Sequence, residues 1–83
     1  MTQVLLHYWA GARAAAGVEQ ESFTADDIAT ALELAADSRD ARFAQILAGS
    51  TLLTDGRALH DDDRRRRLDT DVTVEVLPPF AGG

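Results

Sequence analysis

From Val4 to Trp9 the chain is almost unbroken in apolar and aromatic residues, which predicts a strand. Val4, Leu6 and Tyr8 fall on one face of it, and Leu5, His7 and Trp9 on the other. Both faces are largely apolar, so the expectation is a central strand covered at least partly on each side. At the far end, Val72, Val74 and Val76 alternate with Thr73, Glu75 and Leu77, the period of a half-buried strand.

Between these two strands the pattern changes period. Gly11 to Gly17 is alanine-rich and closed by a glycine, predicting a short turn of helix. Val18 to Phe23 reads as a second strand, paired with the first as a hairpin. Thr24 followed by Asp27 resembles a capping box and predicts a helix start, after which Ile28, Leu32 and Ala35 recur on one stripe. A further helix restarts at Asp37 or Ser38, carries Phe43, Ile46 and Leu47 on one face and stops at Gly49. Thr51 to Leu53 makes a short strand, and Asp55-Gly56 is a strong turn signal. Strands and helices in this order predict an α+β fold, a mixed sheet packed on helix, with no internal repeat.

Eighty-three residues make one domain with a modest interior. A deep, enclosed catalytic site is not expected in it. The net charge of -6 argues against a nucleic-acid partner, which demands a basic face, and favours a partner with a basic docking surface. There is no cysteine, which excludes disulfides, thiolate metal sites and a cysteine nucleophile. Every basic residue is arginine, so the only amine for self-conjugation would be the N-terminus. Neither a signal-peptide pattern nor an apolar run of spanning length is seen, and a cytoplasmic protein without a membrane partner is the expectation.

The last residues carry the chemistry. Leu77 is followed by Pro78-Pro79-Phe80-Ala81-Gly82-Gly83. Two prolines lack amide donors, so the sheet ladder stops and the chain leaves it extended. Residues 1–77 are thus read as the domain and 78–83 as a tail, reaching up to roughly 19 Å at about 3.1 Å per residue. Gly82 and Gly83 have no Cβ and can pass through a narrow channel into another protein's site. A terminal carboxylate, with a pKa of about 3.5, is an anion at neutral pH and a poor acyl acceptor. It becomes reactive once adenylated by ATP, and a thiocarboxylate formed from it carries sulfur without cysteine. A frayed end is the plain alternative for a bare Gly-Gly.

The stretch from Val74 to Gly83 resembles the end of the molybdopterin synthase small-subunit family, the MoaD and ThiS group of ubiquitin-like sulfur carriers. Tyr8-Trp9-Ala10-Gly11-Ala12-Arg13, running on to Gly17, is similar to that family's aromatic pair, small residue, arginine and glycine after the first strand. Leu53-Thr54-Asp55-Gly56 stands where members often have a hydrophobic-Val-Asn-Gly turn. The resemblance implies a β-grasp (ubiquitin-like) fold and a carrier that is not an enzyme on its own. It places the adenylated, thiocarboxylate-bearing residue at Gly83, with Gly82 beside it, and partner contacts along Leu77, Pro78, Pro79, Phe80 and Ala81. It implies an E1-like adenylating enzyme using ATP, a sulfurtransferase or cysteine desulfurase system, and a molybdopterin synthase large subunit in a heterotetramer. No cofactor bound by the chain itself is implied. Two departures stand out: Thr70-Asp71 where members often have Gly-Asp, and the run Asp61-Asp62-Asp63-Arg64-Arg65-Arg66-Arg67.

The same mechanism could serve thiamine, cysteine or tRNA thiolation. Two other classes remain open: an interaction module with an inert tail, and a modifier joined to lysines of other proteins. The arginine run reads as a solvated loop neutralised by its own aspartates, or as a docking element for the adenylating enzyme. The aspartate triplet lacks the ligand spacing of a calcium loop, so no metal is expected. His7 and His60 are read as structural or solvated, and Tyr8 and Trp9 as packing residues.

Overall fold

A computed structural model describes residues 2–79. Strand β1 (Thr2–Tyr8) leads into helix α1 (Ala10–Ala16), then β2 (Gln20–Ala25), α2 (Ile28–Asp37), α3 (Ala41–Gly49), β3 (Thr51–Thr54), β4 (Arg57–Ala58), α4 (Asp61–Arg65) and β5 (Val72–Leu77). The sheet order is β2-β1-β5-β3-β4. β1 and β5 run parallel at its centre, while β2 and β3 pair antiparallel on either side.

One face of the sheet supplies the core. Val4, Leu6, Tyr8, Val74 and Val76 are fully buried, and Leu52 of β3 nearly so. They join Ala12, Ile28, Ala31, Ala35, Phe43 and Leu47 from the helices in a single cluster. Burying each of the larger aliphatic side chains is worth about 1.5–3 kcal/mol. The helices cover this face only. Leu5, His7, Leu53 and Leu77, on the other face, stay half-exposed, so the expected two-sided cover of β1 is not what forms.

The expected strands are present, but several boundaries move. β2 begins at Gln20 rather than Val18. The cap of α2 is Asp27, whose side chain accepts from the Thr30 amide at 2.7 Å; Thr24 lies in β2 and its hydroxyl accepts from Gln3. The buried stripe of α2 is Ile28, Ala31 and Ala35, with Leu32 at its margin. α3 starts after Asp40, which accepts from the Phe43 amide at 3.0 Å, rather than at Asp37 or Ser38. In both cases two capping residue types stand within a few positions, and the one that forms leaves the apolar stripe facing the sheet.

The run from Asp61 is not a loop throughout. Asp61–Arg65 forms α4, with three aspartates in its first turn and two arginines in its last. That order matches charge to the helix dipole at both ends, which a count of net charge does not register. Asp63 accepts from the His60 amide at 3.0 Å, and this bond holds its carboxyl below the usual carboxylate range. The Asp55-Gly56 turn forms as expected: φ is 52° at Asp55 and 78° at Gly56, joining β3 to β4. Positive φ at both central residues is what a tight two-residue hairpin turn requires.

Arg39, between α2 and α3, ties four segments together. Its guanidinium donates to both carboxylate oxygens of Glu21 on β2, at 2.6 and 3.0 Å, and to the carbonyl of Ala16 at the end of α1 at 3.0 Å. It lies 4.8 Å from the Phe43 ring centre and 5.9 Å from that of Tyr8. The Tyr8 hydroxyl donates to Glu21 as well, and burial together with this carboxylate pushes its pKa well up.

Candidate functional site

β5 is held between β1 and β3, with Tyr8 opposite Val76 and Thr51 opposite Leu77. The Trp9 amide donates to the Val76 carbonyl at 3.1 Å, and Pro78 and Pro79, two residues on, have no amide to continue the ladder. The chain therefore leaves the sheet at its middle, beside the start of α1. Ala10 has φ 45°, a left-handed conformation that turns the chain sharply from β1 into α1.

Around this exit the surface forms an apolar groove of about 500 Å³. Trp9, Leu53, Leu77, Pro78 and Pro79 line it, together with the α1 entry. Leu77, Pro78 and Pro79 thus line one groove at the root of the tail. Phe80, Ala81, Gly82 and Gly83 lie outside the described residues.

Trp9 is 44% exposed and is not the packing residue expected, unlike Tyr8, which is fully buried. Its ring lies 4.7 Å from that of His7, and its Nε1 donates to Glu75 Oε2 at 2.8 Å. His7 Nδ1 lies 2.8 Å from the same oxygen. His7, Trp9 and Glu75 form one cluster on the open face of the sheet, next to the groove. Sequence reading placed His7 and Glu75 on their strands without joining them; the parallel register that sets His7 opposite Glu75 is what brings them together.

A second depression, of about 610 Å³, lies at the opposite end of β5, floored by Ile28, Leu68 and Val72 and rimmed by Arg57, Asp63 and Arg66. It is remote from the tail, and its rim mixes both signs of charge. Among the described residues no group of three His, Cys, Asp or Glu side chains is placed to hold a metal ion. Among the same residues no helix is long and apolar enough to cross a membrane.

No family model and no curated protein matches the sequence. Solved structures do. Small archaeal modifier protein 1 (SAMP1) from Methanosarcina acetivorans superposes with a TM-score of 0.79 at 21% identity, over 100% of this chain and 98% of that one. A Pyrococcus furiosus chain described as a molybdopterin converting factor subunit 1 gives 0.73 at 21% identity, over 96% and 100%. A chain of the complex of subunits 1 and 2 of molybdopterin-converting factor from Helicobacter pylori 26695 gives 0.65 at 15% identity, over 98% and 99%. The fold is the β-grasp. At these identities the likeness is one of architecture, and it covers the β-grasp domain from β1 to β5. The fold implied by the sequence resemblance is the fold found.

Proposed function

We propose that this β-grasp chain is a sulfur carrier whose Gly83 carboxylate is adenylated and converted to a thiocarboxylate. The observation that carries the reading is a junction. β5, the central strand of a fold shared with molybdopterin-converting-factor subunits, runs straight into Pro78-Pro79-Phe80-Ala81-Gly82-Gly83. The apolar groove at Pro78 and Pro79 supports a partner seated against the root of the tail. In the reaction, the Gly83 carboxylate attacks the α-phosphate of ATP on an E1-like partner, releasing pyrophosphate and forming the acyl adenylate. Hydrosulfide then adds to the carbonyl, AMP leaves with the electron pair of the broken C–O bond, and one proton is released. The protein supplies the handle and its presentation, and the partner supplies the catalysis. A sulfurtransferase or cysteine desulfurase carries the sulfur as a persulfide, from which a thiol reductant releases hydrosulfide as it is oxidised to a disulfide, and a molybdopterin synthase large subunit receives the loaded tail.

Intact-mass measurement after incubation with the adenylating enzyme from the same genome, ATP and sulfide tests this. A gain of about 16 Da, oxygen replaced by sulfur, is expected for the full chain and none for a chain ending at Ala81. No gain in either sinks the reading.

The likeness to SAMP1 favours a second use of the same activated end, attachment to lysine amines of other proteins. The absence of lysine in this chain would restrict it to single attachment, since no side-chain amine is available for chain-building. Adducts that survive denaturant and reductant on a gel would distinguish this use from sulfur transfer.

A further inference from the structure

The open face of the sheet is almost empty of charge. In register, its outward positions are Gln3, Leu5 and His7 on β1; Gln20, Ser22 and Thr24 on β2; Thr51 and Leu53 on β3; Ala58 on β4; and Thr73, Glu75 and Leu77 on β5. Glu75 is the single carboxylate among them, in a chain of 14 acidic and 8 basic residues. The remaining charged strand residues, Glu21 and Arg57, point to the other side, Glu21 to Arg39 and Arg57 to the depression at the far end. A solvated sheet face in so charged a chain would ordinarily carry several charges.

Glu75 is also held in place. Trp9 Nε1 donates to Oε2 at 2.8 Å and His7 Nδ1 lies 2.8 Å from the same oxygen, which restrains the carboxylate while leaving Oε1 without a donor among the described residues. The side chain is 35% exposed and has Leu53 across the ladder on one side, His7 on the other, and Leu77 next on the same face of its own strand. A carboxylate held by Trp9 beside leucines loses most of its remaining hydration once covered, and covering it without a further donor or cation is costly.

We infer that Glu75 is the specificity-determining residue of this face, accepting a hydrogen-bonded cation, an arginine or lysine, set within an apolar patch of a partner protein. A second copy of this chain does not fit. Each copy carries a net charge of -6, and its outward sheet positions offer no arginine to set against the other's Glu75. The partner must therefore bring the positive charge. The carrier reading enters only through the choice of proteins for the test.

The adenylating enzyme and the synthase large subunit from the same genome are each titrated calorimetrically with the full chain and with Glu75→Gln and Glu33→Gln. Glu33, exposed on α2, controls for net charge. Glu75→Gln keeps the shape and is confirmed folded by its melting curve. It is expected to weaken at least one partner by about tenfold or more, the scale of a charge-assisted hydrogen bond, while Glu33→Gln changes affinity less than about twofold. Restoring affinity in Glu75→Arg by an Arg→Glu change on the partner would identify the cation. Equal affinities of the full chain and Glu75→Gln for both proteins overturn the inference. So does failure of both proteins to bind the full chain, or a dimer of this chain that Trp9→Asp abolishes. Mass gain at Gly83 is read in parallel. Loss of the mass gain with retention of the Glu75 effect removes the carrier chemistry but not the docking residue, and the reverse pattern does the opposite.

Discussion

Replacing Arg39 by alanine removes four hydrogen bonds, the fourth a long one to the Ser38 hydroxyl at 3.2 Å, from a guanidinium whose side chain is only 16% exposed, facing a Glu21 side chain at 23%. Two of those bonds form a bidentate pair with a carboxylate and the third satisfies the Ala16 carbonyl at the end of α1. A hydrogen bond to a charged group contributes about 1.5–3 kcal/mol, and breaking a fully buried pair costs about 3–5 kcal/mol. The residual exposure lowers that figure, while stacking on Phe43 adds roughly 0.5–1 kcal/mol. The expected loss is about 2–3 kcal/mol. In a domain of this size, at about 4–8 °C per kcal/mol, the melting point falls by roughly 10–20 °C. Arg39→Lys, which keeps charge but not the planar fork, should lose about half as much. Thermal melts followed by circular dichroism, with urea titrations for the free energies, measure both. A double-mutant cycle with Glu21→Gln should return a coupling of at least about 1 kcal/mol. An alanine variant within about 0.5 kcal/mol of the parent, or a cycle with no coupling, would refute the assignment of Arg39 as the tie between α1, β2 and the aromatic core.

Four more outcomes follow from single positions. Asp27→Ala should destabilise by about 1 kcal/mol through loss of the α2 cap, read in the same melts. The Thr30 side chain first, and then its amide, pull the Asp27 carboxyl below its usual value, so its contribution is full above the unfolded pKa of about 3.9 and is lost as pH falls through the lower folded one. Asp27→Asn should flatten stability in that acid window while leaving neutral pH nearly unchanged. Ala10→Gly relieves a left-handed alanine and should raise stability by up to about 1 kcal/mol, whereas Gly56→Val, at φ 78°, should lower it by about 1–2 kcal/mol; both are checked by urea midpoints.

The parts of this fold legible in the sequence were those set by neighbours along the chain. Alternation at Val72, Val74 and Val76 marks β5, and Asp55-Gly56 marks the β3–β4 turn, because period and turn chemistry are local. Thr24 and Asp27 are equally good caps by residue type, and only packing of the stripe on the sheet chooses between them. Arg39 reads as one more surface arginine, since its partners Ala16 and Glu21 are distant in sequence. Glu75 looks like an ordinary outward strand residue until all five strands are ordered and the lack of other charges around it can be seen. The tail is read from its residue types alone, and its last four residues lie outside the described part.

β5 lies between two hairpins that do not otherwise touch in the sheet: β1–β2 on one side and β3–β4 on the other. The segment nearest the tail is therefore the one that closes the ladder. A chain emerging from a ribosome has no complete sheet until β5 has emerged, and an adenylating enzyme that recognises the assembled face would ignore nascent or proteolysed fragments. Quality control and presentation of the handle would then be one event.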